Sequence, residues 1–344
     1  MRGVLRIINP YDPGIIPEGQ VVNLSSNENP YEPSESVKRA FFDSIAKINR
    51  YPDASYSKLK KTISDFLGVE IEKISVGCGS SELISRVCDV VVEELDTVAV
   101  PMPSYSLYLI YAMLREANIV TPVFRDYKVE AEIFEELKPK LSIICSPNNP
   151  TGNKVKRKVV EKIVENSEFV LIDEAYVEFS DEHFLQFALE FDNVVVLRTF
   201  SKFFGLAGLR IGYAISSREL TEAIEKIRLP FAISGVAVEA AISAIKSFDY
   251  YADLRKRIVE ERERMAKELM KLGLKVYPSY ANFLLVKIDE RAFDFLLGKG
   301  IMVRKIENVL GLEGTHLRLT VGRKEENDAL IEALRSYLCE SSAD

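Results

Sequence analysis

Between about residue 70 and residue 215, short apolar segments alternate with longer amphipathic ones, and this alternation most constrains how the chain can fold. Strands that are apolar along their whole length are typical of parallel sheets, and helical segments between them predict βαβ units. The sequence therefore predicts an α/β fold with a mainly parallel central sheet. The predicted strands are residues 74–76, 98–101, 119–123, 141–145, 169–172, 194–197 and 211–215.

The pattern changes near residue 250, where a long, highly charged helix is predicted. Short apolar segments follow it, interrupted by a predicted helix over residues 291–297 and closed by one that begins near residue 325. This order is typical of a smaller α+β domain. We expect a large domain over residues 30–250, and a small domain with an N-terminal arm over residues 1–29 and 251–344.

Composition excludes several classes of function. The 344 residues are 47% hydrophobic and carry a net charge of −7, so the chain can bury a large core but has no basic surface to bind nucleic acid or an acidic membrane. Two histidines are too few for a histidine-rich metal site, and we expect no metal. The four cysteines lack a disulfide-like spacing and the first residues lack a signal-peptide core, so we expect a cytoplasmic protein.

The segment TFSKFFGLAGLRIGY, residues 199–213, places Lys202 among three phenylalanines, just after the predicted strand 194–197. Most lysines are solvated, and that is the ordinary explanation of any single lysine. This one follows the carboxyl end of a buried strand, where ligands bind in open α/β sheets. An amine removed from water loses affinity for its proton, so Lys202 is a candidate nucleophile for a Schiff base.

Four other segments also follow predicted strands: VGCGSSE (76–82), PSYSLY with Tyr105, SPNNPTG (146–152) and LIDEAY with Asp173. Taken alone, each has an ordinary explanation: a tight turn, a core aromatic, a polar loop and a helix cap. Together they place a glycine loop, a phenol, an asparagine, a carboxylate and an amine at one edge of one sheet. A ligand with a phosphate, an aldehyde and a basic ring nitrogen accounts for all five, which describes pyridoxal 5′-phosphate.

SPNNPTG, LIDEAY and TFSKFFGLAGLRIGY together resemble the fold type I pyridoxal-phosphate aminotransferases of class II, over nearly the whole chain. Within that family, NLSSNENPYEPS, NRYPDASY and LRLTVGRKEEND are most similar to the histidinol-phosphate branch. The resemblance implies a mainly parallel central sheet with helices on both faces, plus a smaller α+β domain.

The resemblance also implies the roles of the residues around the cofactor ring. Lys202 would hold the cofactor as a Schiff base and later carry a proton between the substrate carbon and the cofactor. Asp173 would keep the ring nitrogen protonated, so that the ring accepts electrons. Tyr176 and Asn149 would bind the ring oxygen, and Tyr105 would stack on the ring.

At the other end of the cofactor, the resemblance implies a phosphate site made by Gly79, Ser80, Ser81, Ser201 and Arg210. In the relatives, the tyrosine that matches Tyr51 is supplied to this phosphate by the partner subunit, so a homodimer is implied. Two arginines, Arg304 and Arg318, match those that hold the anionic end of the substrate. Tyr11 and Asn27 would close the pocket from the N-terminal segment.

The expected reaction is transfer of the amino group of L-histidinol phosphate to 2-oxoglutarate, giving imidazole-acetol phosphate and L-glutamate, a step of histidine biosynthesis. An aromatic-amino-acid aminotransferase and a threonine-phosphate decarboxylase would use the same site. A sensor domain of a transcription regulator is the alternative that is not an enzyme. That alternative needs a DNA-binding module, for which neither spare residues nor basic charge are present.

Overall fold

The computed structural model of the chain describes residues 2–10 and 21–341, which form twelve β-strands and twelve α-helices. The strands are β1 (Val22–Leu24), β2 (Ile74–Gly77), β3 (Thr97–Ala99), β4 (Asn118–Val120), β5 (Leu141–Cys145), β6 (Phe169–Asp173), β7 (Val194–Thr199), β8 (Gly212–Ile215), β9 (Lys275–Val276), β10 (Phe283–Lys287), β11 (Ile301–Ile306) and β12 (His316–Thr320). The helices are α1 (Glu35–Ile45), α2 (Ser57–Leu67), α3 (Gly79–Val91), α4 (Ser106–Leu114), α5 (Glu132–Leu137), α6 (Arg157–Asn166), α7 (Leu185–Glu190), α8 (Arg218–Lys226), α9 (Gly235–Lys246), α10 (Phe248–Lys271), α11 (Arg291–Gly298) and α12 (Lys324–Ser341).

Strands β2 to β8 form a seven-stranded sheet in the order β2-β8-β7-β6-β5-β3-β4. Strands β3 to β7 are joined by parallel pairing, whereas β8 is antiparallel to both of its neighbours, β2 and β7. The prediction of a mainly parallel sheet is confirmed. Because β8 alone is reversed, the carboxyl ends of the other six strands meet at one edge of the sheet.

Helices cover both faces of this sheet because its central strands are apolar on both sides. In β7, Val194 and Val196 point into one core, together with residues of α6 and α7. Val195 and Leu197 point into the other core, together with residues of α3, α4 and α8. Since successive side chains of a strand alternate between the faces, an uninterrupted apolar run is what a doubly covered strand requires.

A second sheet has five strands in the order β1-β11-β12-β10-β9. Strand β1, from the N-terminal segment, pairs in parallel with β11, and the other pairs are antiparallel. The charged helix α10 leads into this sheet, and α11 and α12 follow at the expected positions. In the register of β11 and β12, Arg304 lies directly opposite Arg318.

Three findings concern the general character of the molecule. Within the described part of the chain, no helix is long and apolar enough to cross a membrane. The same residues contain no group of three His, Cys, Asp or Glu side chains that could hold a metal ion. The four cysteines are unpaired.

Candidate active site

A cleft of about 1030 Å³ lies at the carboxyl edge of the seven-stranded sheet, with β11 and β12 of the second sheet on its other side. The loops after β3, β5, β6 and β7 and the start of α3 all contribute to it. The predicted site residues that line it are Asn27, Ser80, Ser81, Tyr105, Asn149, Asp173, Tyr176, Ser201, Lys202, Arg210, Arg304 and Arg318.

Lys202 projects into this cleft from the segment that follows β7. The neighbouring Phe200 and Phe203 are buried in the core and fix the backbone that carries it. The Nζ atom donates a 2.8 Å hydrogen bond to the carbonyl oxygen of Ser26. The side chain of Lys202 is only half-buried because it faces the cleft, but its amine is desolvated. This desolvation lowers the pKa of Lys202 to about 7, and the positive charge of Arg318 acts in the same direction. The neutral form of the amine is therefore far more accessible near neutral pH than for a lysine in water.

Asp173 is the last residue of β6 and is 3% exposed. Its Oδ2 accepts a 2.7 Å hydrogen bond from the hydroxyl of Tyr108, and its Oδ1 accepts one of 3.0 Å from the backbone N–H of Ala175. Burial raises the pKa of Asp173 to about 6, although these two bonds oppose the increase. At neutral pH the group is thus mainly a buried carboxylate at the edge of the cleft.

Tyr176 and Asn27 are joined by a hydrogen bond in which the Asn27 amide donates to the phenol oxygen over 3.0 Å. Since Tyr176 accepts this bond, its own O–H can donate to a ligand in the cleft. Burial raises the pKa of Tyr176 to about 12. Asn27 is itself 1% exposed and is held by Thr320, so its amide supports Tyr176, and direct contact of Asn27 with substrate stays a prediction.

Asn149 is oriented by Arg318. The Nη1 atom of Arg318 donates a 2.7 Å hydrogen bond to the Asn149 Oδ1, and its Nη2 donates one of 2.5 Å to the carbonyl oxygen of Ser25. Because the amide oxygen of Asn149 is occupied in this way, the amide nitrogen remains to donate elsewhere in the cleft. Arg318 therefore links the second sheet to a loop of the first.

The N-terminus of α3 contributes Ser80 and Ser81 to the cleft. Gly79, its first residue, has φ +77°, and a Cβ atom there would lie 2.5 Å from Arg210 Nη2. A Cβ atom on Gly212 would lie 2.6 Å from the backbone nitrogen of Ser80. The Nη1 atom of Arg210 also donates a 3.3 Å hydrogen bond to the Ser201 hydroxyl. The two glycines thus allow the N-terminus of α3, the Arg210 guanidinium and the Ser201 hydroxyl to lie close together, an arrangement that suits an anion.

Among the described residues, the predicted site residue Tyr51 does not line the cleft of its own chain. Tyr51 is 80% exposed and stacks on Phe231, with ring centroids 4.5 Å apart. Its predicted contribution to a partner's site stays a prediction. Tyr11 lies outside the described residues.

Reasoning from the sequence missed several groups that the structure places at the site. Tyr108 belongs to the segment PSYSLY, but nothing in that segment indicated that its hydroxyl bonds Asp173. The carbonyl oxygens of Ser25 and Ser26 had no signal either, since any residue type can supply a backbone oxygen.

These residues fit pyridoxal 5′-phosphate at each of its three recognition points. The buried Asp173 carboxylate suits a protonated ring nitrogen, the neutral fraction of Lys202 suits an aldehyde, and the glycine-lined N-terminus of α3 suits a phosphate. The cleft is wide enough for the cofactor and a substrate together. Its architecture defines an enzyme that performs amine chemistry with this cofactor.

The chain belongs to the aminotransferase class I and II family, whose model matches residues 19–334. Members of this family depend on pyridoxal 5′-phosphate, and the fold and cofactor expected from the sequence are confirmed.

Three proteins to which the chain is similar are named histidinol-phosphate aminotransferases. The chain is 56% identical to histidinol-phosphate aminotransferase 2 of Archaeoglobus fulgidus, over 97% of this chain and 99% of that protein. It is 40% identical to histidinol-phosphate aminotransferase of Caldanaerobacter subterraneus subsp. tengcongensis, over 92% of each chain. Among solved structures, histidinol-phosphate aminotransferase of Sinorhizobium meliloti in complex with pyridoxal 5′-phosphate has a TM-score of 0.89 at 25% identity, covering 99% of this chain and 98% of that one.

Proposed function

We propose that this protein is a histidinol-phosphate aminotransferase, which transfers the amino group of L-histidinol phosphate to 2-oxoglutarate, in the cytoplasm, as a step of histidine biosynthesis. The observation that carries the specific substrate is the pairing of Arg304 opposite Arg318 on adjacent strands, with both residues lining the cleft. Like charges directly opposite each other in a sheet are unfavourable, so an anion that lies between them gains from both. The 56% identity to a histidinol-phosphate aminotransferase over nearly the whole chain supports the same substrate.

The number of positive charges favours a phosphate over a carboxylate. The substrate carboxylate of an amino acid carries one negative charge, whereas a phosphate monoester carries nearly two at neutral pH. Arg318 already donates hydrogen bonds to Asn149 and Ser25, which fix the direction of its guanidinium. Arg304 provides the additional charge that a dianion requires.

The residues of this chain perform distinct tasks in the proposed reaction. When bound, pyridoxal 5′-phosphate supplies the electron-accepting ring that stabilises negative charge on the substrate carbon. Lys202 would hold the cofactor covalently, and its Nζ, when free of the cofactor, would move the proton of that carbon. Asp173 stabilises the positive charge of the ring nitrogen. Tyr176 donates its O–H to the ring oxygen.

The remaining residues orient the two ligands. The amide nitrogen of Asn149 binds the ring oxygen, and Tyr105 stacks on the ring. Ser80, Ser81, Ser201 and Arg210, with Gly79 at the start of α3, hold the cofactor phosphate. A charged hydrogen bond is worth about 1.5–3 kcal/mol, so several such contacts would anchor the cofactor even while Lys202 is not bonded to it.

We also propose that the protein is a homodimer in which Tyr51 serves the partner's cofactor phosphate. Tyr51 is 80% exposed and does not line its own cleft, and the segment that carries its stacking partner Phe231 also exposes Ile227 and Leu229. Apolar side chains exposed together are typical of a surface that a second chain covers. The large domain of residues 30–250 and the small domain of residues 1–29 and 251–344 complete the proposed organisation.

Mixed dimers test this arrangement. Lys202→Ala subunits should be inactive, and Tyr51→Ala subunits should be impaired when the cofactor is limiting. A hybrid of the two contains one complete site if Tyr51 crosses to the partner, so mixing should raise activity above that of either variant alone. Mass spectrometry verifies that hybrids have formed. If mixing then gives no gain in activity, Tyr51 does not serve the site of the partner subunit.

A panel of amino donors tests the proposed substrate. Histidinol phosphate, phenylalanine and threonine phosphate are each assayed with 2-oxoglutarate, following glutamate formation. We expect the highest kcat/KM for histidinol phosphate. A preference for phenylalanine would assign the protein to the aromatic aminotransferases, and carbon dioxide release from threonine phosphate would assign it to the decarboxylases.

A further inference from the structure

Asp173 and Tyr105 share a neighbour that the proposed function does not use, the side chain of Tyr108. Tyr108 lies in the first turn of α4, and Tyr105 is the extended residue that immediately precedes the helix. Its ring packs edge to face against Tyr105, with centroids 5.6 Å apart. Its hydroxyl donates the 2.7 Å hydrogen bond to Asp173 Oδ2.

This hydrogen bond lies in a fully buried environment. Tyr108 is 0% exposed and Asp173 is 3% exposed, so water does not compete for the carboxylate. Among the described residues, no lysine or arginine forms a salt bridge with Asp173. Its charge is supported by neutral donors, namely the Tyr108 hydroxyl and the Ala175 N–H. A buried carboxylate with so few donors depends strongly on each one.

We propose that Tyr108 is a positioning residue, whose hydroxyl fixes Asp173 Oδ2 and keeps the carboxylate ionised for the ring nitrogen of the cofactor. The inference rests on the proposed role of Asp173. The bond favours the charged form because a carboxylate is a stronger acceptor than a carboxylic acid. Through the same ring, Tyr108 also supports Tyr105, so one side chain braces two of the groups that surround the cofactor.

Cofactor binding by the apoenzyme tests this role without measuring turnover. Apoenzyme is titrated with pyridoxal 5′-phosphate and with an analogue in which C–H replaces the ring nitrogen. The affinity for the cofactor divided by the affinity for the analogue reports the interaction of the ring nitrogen with Asp173. In Tyr108→Phe, we expect this ratio to fall about tenfold, since one hydrogen bond to a charged group is lost while the ring is kept. Tyr111→Phe is the matched control, because Tyr111 is a half-buried tyrosine of the same helix that does not bond Asp173.

Asp173→Asn separates the inference from the proposed function. If Asp173 recognises the ring nitrogen, Asp173→Asn abolishes the preference for the cofactor over the analogue, and adding Tyr108→Phe to it changes the ratio no further. A normal ratio in Asp173→Asn would contradict the proposed function itself. Three outcomes would show that Tyr108 is structural and overturn the inference. They are a wild-type affinity ratio in Tyr108→Phe, an equal loss when Tyr108→Phe is made in the wild type and in Asp173→Asn, and failure of Tyr108→Phe to fold.

Discussion

The two sheets contribute to the cleft in different ways. The seven-stranded sheet supplies polar residues at or just after the carboxyl ends of its strands, among them Asp173 at the end of β6 and Lys202 after β7. The five-stranded sheet supplies Arg304 and Arg318 from within two paired strands. In the first case the fold brings together single residues from many strands, and in the second case strand register brings together two residues.

This difference suggests a division of tasks, in which the seven-stranded sheet carries the residues for chemistry and the five-stranded sheet carries those for substrate recognition. Asp173 and Lys202 at the strand ends are desolvated by burial, so their pKa values are shifted and they suit proton and electron chemistry. For Arg304 and Arg318, by contrast, we propose recognition of an anion by their guanidinium groups. We therefore expect changes in the first sheet to affect all substrates alike, and changes in the second to distinguish among them.

Lys202→Ala should have the largest effect. Loss of both the covalent link and the proton-transferring amine is expected to lower kcat on the order of 10⁴-fold or more, for every amino donor. Steady-state kinetics with histidinol phosphate and with phenylalanine measure this loss. Lys140→Ala, at a surface salt bridge with Glu168, is the control. Substantial turnover without Lys202 would remove it from the chemistry.

Asp173→Asn should come next, with kcat lowered on the order of 10²- to 10³-fold because the charge that stabilises the ring nitrogen is gone. The adjacent Glu174 is the matched control, since it faces away from the cleft and forms a buried salt bridge with Arg198 at 2.8 Å. Glu174→Gln should reduce the free energy of unfolding by roughly 3 kcal/mol while the folded enzyme keeps its kcat. Similar kcat values for Asp173→Asn and Glu174→Gln would contradict the assigned roles.

Arg304→Ala should have a smaller effect that depends on the substrate. One charge-assisted contact to a phosphate is lost, so kcat/KM for histidinol phosphate should fall about 10- to 100-fold. Phenylalanine, whose carboxylate needs mainly Arg318, should lose much less. Arg291→Ala, at an exposed salt bridge with Asp289, serves as the control for a general loss of positive charge. Equal losses for both donors would make Arg304 a structural residue.

The smallest expected effect links the two sheets. The positive charge of Arg318 lies close enough to lower the pKa of Lys202, as does Arg210, whereas Glu28 raises it. Removal of a positive charge makes the protonated amine more favourable, so Arg318→Gln should raise the pKa of Lys202 above about 7, though desolvation keeps it below 10.5. Labelling of Lys202 in the apoenzyme by an amine reagent needs the neutral form, so its rate should rise through pH 7 in the wild type and at higher pH in the variant. An unchanged midpoint would show that the charge of Arg318 does not contribute to this pKa.

The first sheet was predictable from the sequence because burial on both faces leaves a visible pattern. Each of the apolar runs that end at Cys145 and Leu197 became a strand, and position after a strand was enough to place Lys202 near Asp173. The reversed direction of β8 was not predictable, since apolar runs carry no information on direction.

Register and side-chain direction could not be obtained from the sequence. Nothing in the segments IMVRKI and LRLTV states that Arg304 pairs with Arg318, because a shift of one residue would leave both patterns apolar. The resemblance to known aminotransferases supplied these two arginines. Tyr108 was missed because a fully buried tyrosine has the same sequence signature whether or not its hydroxyl bonds a carboxylate.

Borohydride reduction of the cofactor-loaded enzyme tests most directly the central claim, that Lys202 holds pyridoxal 5′-phosphate in this cleft. Reduction makes the covalent link permanent, and digestion followed by mass spectrometry locates it. We predict a single modified peptide that contains residues 199–213, with the cofactor mass on Lys202 and with no such peptide from Lys202→Ala. A modification found on any other lysine of the wild-type enzyme would contradict the account.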